Sequence, residues 1–114
     1  MGAAFPSMLE RLLSVLDAAV RADTVEAGRQ ALDEAFALLG ALYAALDPAR
    51  HPELSAYLTS AYDGCLRHIG EARPGRCEGL AVVITLLRHI RDAAASARAG
   101  VTDRPSFVGR MLAV

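Results

Sequence analysis

Lysine and tryptophan are absent from this chain, cysteine occurs twice, and aromatic residues make up only 5% of its 114 positions. Twelve arginines stand against thirteen acidic residues, giving a net charge of −1, and the arginines run from Arg11 to Arg110 without massing on one segment. Recognition of nucleic acid asks for a concentrated basic face, so the charge pattern excludes an obvious polyanion partner. Two cysteines, Cys65 and Cys77, are too few for a disulfide scaffold, and free thiols are expected. No apolar run approaches the roughly 18 to 20 residues of a membrane span. The opening "MGAAFPSMLERLL" also lacks the basic start and long apolar stretch of a secretory signal. Cytoplasmic residence without membrane insertion is the expectation.

Chemical motifs are equally sparse. Paired Cys-x-x-Cys, His-Glu-x-x-His and Glu-x-x-His spacings are missing, and "RPGR" lacks the strand, helix and Lys of a phosphate-binding loop. Cys65 and His68, three apart, could share a metal ion with Cys77, His89 or His51. Cys65 falls on the apolar stripe of its own helix, however, where a buried, inert thiol is the commoner outcome. Tyr62 and Asp63 could form a proton relay, but adjacent helical residues point about 100° apart. No catalytic residue, metal or cofactor is therefore expected, and a nonenzymatic binding protein follows. An enzyme or metal protein built on the Cys and His residues is the rival.

What the chain does have is helical periodicity, within a composition that is 54% hydrophobic. Ser7-Met8-Leu9-Glu10 matches a capping box, and Leu9, Leu12, Leu13, Leu16, Ala19 and Val20 continue at i, i+3, i+4 spacing, predicting a helix over 7–21. Thr24 suits the N-cap of a second helix over 24–46. Its apolar positions are Val25, Leu32, Ala35, Phe36, Leu39, Leu42, Tyr43 and Leu46, and Asp47-Pro48 stops it. "DPARHP" is a turn, with Pro52 placed to open a third helix over 52–72. "EARPGRCEG" breaks the chain again. Leu80, Val83, Ile84, Leu87, Ile90 and Ala94 then carry a fourth helix, bounded at 77–98. Residues 101–114 hold Phe107, Val108, Met111 and Leu112, an apolar segment too short to be a stable helix alone. No segment alternates with period two. The expected fold is all-α, a single domain with an antiparallel up-and-down four-helix bundle.

The third helix, "PELSAYLTSAYDGCLRHIGEA", is unusual because Tyr62-Asp63-Gly64 interrupts it. At about 100° per residue, Leu54, Leu58, Ala61, Cys65, Ile69 and Ala72 form a sufficient core stripe. Tyr62 and Leu66 on one side and Tyr57 on the other widen the apolar arc to about half the circumference. Gly64 would permit close backbone approach. The second helix adds a flank of small residues, Ala37, Gly40, Ala41, Ala44 and Ala45, which reads either as helix propensity or as a docking surface.

From Ala31 to Ala93 the order of these features resembles the flagellar secretion chaperone family, helical-bundle proteins that hold unpolymerised flagellin before export. "ALDEAFALLGALYAALD", ending in Leu42, Leu46 and Asp47, looks like the family's second bundle helix. Leu58, Tyr62, Asp63 and Leu66 match its Leu-x-x-x-Tyr-Asp-x-x-Leu helix, and "LAVVITLLRHIRDAAASA" is similar to its last long helix. The first helix departs, with "LLSVLDAAV" where the family usually carries Leu-Tyr-Asp-Gly-Ala. The resemblance implies that the disordered C-terminal segment of flagellin folds on an apolar groove, which prevents premature polymerisation without catalysis. It implies export-apparatus components as further partners. Leu39, Leu42, Leu46, Leu58, Tyr62 and Leu66 are the expected groove positions, with Phe107 to Leu112 a candidate cover for the groove. A helical adaptor or chaperone for another client, including a homodimeric one, is the alternative.

Overall fold

A computed structural model describes residues 4–98, which form four α-helices: α1 (Ala4–Arg21), α2 (Val25–Ala44), α3 (Pro52–Glu71) and α4 (Leu80–Arg98). The all-α four-helix bundle expected from the periodicity is what forms. Each helix packs against its chain neighbour, α4 closes back on α1, and the backbones of the diagonal pairs α1–α3 and α2–α4 stay apart. Short links between long helices force this antiparallel square. The apolar segment at 101–114 lies outside the described residues.

The helix boundaries differ from the sequence expectation for local reasons. α1 begins at Ala4 rather than Ser7. Pro6 sits in its first turn, where a missing N–H costs nothing, and Phe5 is buried in the core, so burial extends the helix past the capping-box serine. Thr24 caps α2 as expected, its Oγ1 accepting a hydrogen bond from the Ala27 N–H at 3.1 Å. α2 stops at Ala44, two residues early. The Ala45 N–H is shared between the carbonyls of Ala41 and Leu42 and the Leu46 N–H donates to the Tyr43 carbonyl, which tightens the last turn, and the Asp47-Pro48 breaker follows. Pro52 opens α3, and α4 begins at Leu80 after a turn in which the Leu80 N–H donates to the Cys77 carbonyl at 3.0 Å.

The core joins Leu9, Leu12 and Leu16 of α1, Leu32, Ala35 and Leu39 of α2, Leu58, Cys65 and Ile69 of α3, and Leu80, Val83, Leu87 and Ile90 of α4. Three residues assigned to the core stripes by spacing are instead exposed: Val20, Val25 and Phe36. Val20 and Val25 flank the α1–α2 link, one near the end of α1 and the other at the start of α2. Two ion pairs cross the outside of the bundle, Arg11 to Glu34 at 2.7 Å and Arg91 to Glu10 at 3.5 Å. Both are solvated, so each is worth at most about 1 kcal/mol, and they tie α1 to its two neighbours rather than drive folding.

The link between α3 and α4 is the best-anchored loop among the described residues. Arg73-Pro74-Gly75-Arg76 is a tight turn with Gly75 at φ +84°, a left-handed conformation that favours glycine. The Arg76 N–H donates to the Arg73 carbonyl at 2.7 Å, and the Arg73 N–H donates back to Arg76 at 3.2 Å. Pro74 lies against α2 so closely that a Cβ on the buried Gly28 would stand 3.1 Å from the Pro74 Cβ. Cys77 Sγ reaches the Ala19 carbonyl of α1 at 3.9 Å, and Gly79 packs beneath His68 of α3. The same loop thus touches α1, α2 and α3 before it starts α4.

Candidate functional site

The side of α2 that turns toward α3 carries Arg29, Phe36 and Tyr43 at seven-residue spacing, so the three lie along one line. The facing side of α3 carries Tyr62, Leu66 and Gly70 at four-residue spacing. Where the two lines meet, the rings of Tyr43 and Tyr62 sit 6.2 Å apart, tilted by 44°, within the range of favourable aromatic pairs. Partial burial first, and then the negative charge of Asp63, hold the Tyr43 phenol above its ordinary pKa, with the Thr59 hydroxyl opposing.

Sequence spacing placed six groove candidates here, and the structure divides them. Leu39, Leu42, Leu58 and Tyr62 are core residues, and Leu46 and Leu66 are half-buried. Tyr62 is the largest correction. Expected to widen the exposed apolar arc, it is only 1% exposed, because the approach of α2 covers the flank of α3 that a wheel drawn for one helix leaves open. Its phenol is pushed well above the ordinary tyrosine range by that burial. The close approach expected at Gly64 is also absent: a Cβ there would meet nothing within 4 Å. Gly28, on α2, is the glycine that permits intimate packing.

Phe36, like Val20 and Val25, was assigned by spacing in the opposite direction. It lies about 60° round α2 from Leu39, near the edge of the core stripe, and it is 50% exposed beside the seam. Below it, toward the Arg73–Arg76 turn, the seam opens into a cavity of about 400 Å³. Leu32, Ile69 and Ala72 form its buried floor, Phe36 and Pro74 its walls, and Arg29, Asp33, Gly70 and Arg73 its mouth. Arg73 is fixed in place, donating from one terminal nitrogen to the carbonyls of Gly70 at 2.9 Å and Ala72 at 2.8 Å. Those carbonyls are among the unpaired acceptors at the C-terminus of α3, so the guanidinium caps the helix. Neither Arg29 nor Gly70 carries a sequence signal that would have singled it out.

Comparison with models of known protein families, with curated proteins and with solved structures finds no match to this chain.

The seam offers apolar surface with arginines and one aspartate at one end. Cys65 is buried beneath it with its thiol pushed up to about 11 by that burial, which suppresses the nucleophilic thiolate. His68 is half-buried with its ring against Gly79, and among the described residues no three His, Cys, Asp or Glu side chains converge in a metal-binding group. No described helix is long and apolar enough to cross a membrane. On the opposite flank of α3, half-buried Tyr57, Ala61 and Leu86 and 57%-exposed Val82 make a second, shallower apolar strip toward α4.

Proposed function

We propose that the protein is a flagellar secretion chaperone, which holds the disordered C-terminal segment of flagellin on the α2–α3 seam and keeps it from polymerising before export. The observation that carries this reading is the seam itself. Phe36, Tyr43, Leu46 and Leu66 leave apolar surface open to solvent beside a core that is already closed beneath them by Leu39, Leu58 and Tyr62. A bundle needing only its own stability has no use for that strip, whereas an amphipathic client helix does. Small residues beside it, half-buried Gly40 and exposed Ala44, leave room for a second backbone. The client identity rests on the resemblance of Ala31–Ala93, whose Tyr62-Asp63 signature stands on α3 beside Tyr43.

In this mechanism the closed core is the platform and the half-buried rim is the contact. The client loses ordering entropy on binding, so affinity is modest for the area buried, and no bond is made or broken. Titration calorimetry of the full chain with the flagellin C-terminal segment tests it. Saturable binding with a negative heat-capacity change, weakened in Leu66→Ala and Phe36→Ala at unchanged helicity, is the expected result. Absence of binding by the intact protein overturns it. A second reading, pairing of two chains through the α3–α4 strip, is favoured by exposed Val82 and predicts a dimer by light scattering that Val82→Asp dissociates.

A further inference from the structure

We infer that the cavity between Phe36 and the Arg73–Arg76 turn is the specificity end of the seam, and that it takes an acidic residue followed by a large apolar one from the bound peptide. The inference rests on the α2–α3 seam being the docking surface proposed above, and it adds which client chemistry that surface selects.

Three observations converge. The floor is apolar, Leu32 and Ile69 being buried, and at about 400 Å³ the space falls at the low end of ligand pockets. Gly70 sits at its mouth, in the last turn of α3, one residue before the helix ends. A Cβ there would meet nothing within 4 Å, so intramolecular packing does not require the glycine and its effect is to leave the mouth open.

Charge supplies the third. Arg29 and Arg73 stand at the mouth with one carboxylate, Asp33, and among the described residues none of the three takes part in an ion pair. The arrangement leaves one net positive charge beside an apolar floor. Arg73 is already immobilised by the Gly70 and Ala72 carbonyls, so little side-chain entropy is lost when it meets an anion. An apolar side chain entering over Ile69 and against Phe36 brings the preceding carboxylate between the two guanidiniums, where charge-assisted hydrogen bonds form. A basic peptide would meet two arginines against one aspartate and be disfavoured.

The test uses the full chain and two fluorescein-labelled synthetic peptides, one with a Glu-Glu-Leu-Phe-Leu core and its Gln-Gln-Leu-Phe-Leu isostere. Fluorescence anisotropy should show the acidic peptide binding about tenfold more tightly than the isostere. Arg29→Gln should remove that preference, and Asp33→Asn should enlarge it. Gly70→Leu should abolish binding of both peptides while leaving the melting temperature unchanged or higher, which separates a filled pocket from a lost fold. Equal affinity for the two peptides, undiminished binding to Gly70→Leu, or no binding of either peptide overturns the inference. If the flagellin segment still binds wild type and Gly70→Leu alike, the chaperone reading stands and the pocket assignment alone falls.

Discussion

Replacing Gly64 by alanine should stabilise the protein, and replacing Gly40 should do the same. Both lie inside long helices, α3 and α2, and a Cβ added at either would meet nothing within 4 Å. Only the backbone terms then remain: alanine reduces the entropy of the unfolded chain and has the higher helix propensity, about 0.5 to 1 kcal/mol per site. The sites sit on different helices and share no neighbour within that radius, so the effects should add to about 1 to 2 kcal/mol in the double variant. For a domain of this size each kcal/mol raises the melting temperature by about 4 to 8 °C. Thermal unfolding followed by circular dichroism at 222 nm reads the shift. Gly28→Ala supplies the contrast, because its new Cβ would stand 3.1 Å from Pro74 and the ring must yield, cancelling the propensity gain. Gly75→Ala, at φ +84°, should cost about 1 to 2 kcal/mol from left-handed strain. A fall in melting temperature for Gly64→Ala or Gly40→Ala would refute the reasoning, since it would mean that something packs on those faces.

Other outcomes follow from the burial pattern. Tyr62→Ala should lower stability by about 3 to 5 kcal/mol in urea unfolding, whereas half-buried Leu66→Ala should cost less than the 2 kcal/mol floor of about 2 to 5 found for fully buried leucines. Both folded-state acids under the seam are raised, Cys65 from 9.0 to about 11 and Tyr62 above the ordinary 10.0, so each contribution is complete below its ordinary value. Their contribution to stability should fall as pH rises above about 9, and Cys65→Ala should move the onset of that fall toward 10, measured as urea midpoints against pH. A thiol-reactive dye should modify half-buried Cys77 in the native protein and reach buried Cys65 only at the rate of opening, which mass spectrometry resolves peptide by peptide.

The bundle was legible in the sequence because its helices are bounded by strong local signals. Thr24, Asp47-Pro48, Pro52 and "RPGR" act within a few residues of themselves, and the leucine spacing between them needs no knowledge of neighbours. The seam was less legible for a physical reason. Whether Tyr62 or Phe36 faces solvent depends on which flank of its helix the adjacent helix covers, and a single-helix wheel contains no adjacent helix. The same limit applies to Gly28 and Gly64: both are glycines in helices, and only the position of Pro74 tells them apart. Arg73 and Gly70 were illegible altogether, since a lone Arg after a helix and a lone Gly near its end occur in many chains.

The anchored α3–α4 loop has a mechanical consequence. It bears on α2 through Gly28, on α1 through the Ala19 carbonyl and on α3 through His68, so one end of the bundle is clasped by a single short segment. At the other end the described link between α2 and α3, residues 45–51, is exposed for most of its length and held chiefly by its own turn bonds, Arg50 and His51 each donating to the Asp47 carbonyl. The Leu46 end of the α2–α3 seam should therefore open more readily than the Pro74 end, with amide exchange faster near Tyr43 and Leu54 than near Leu32 and Ile69.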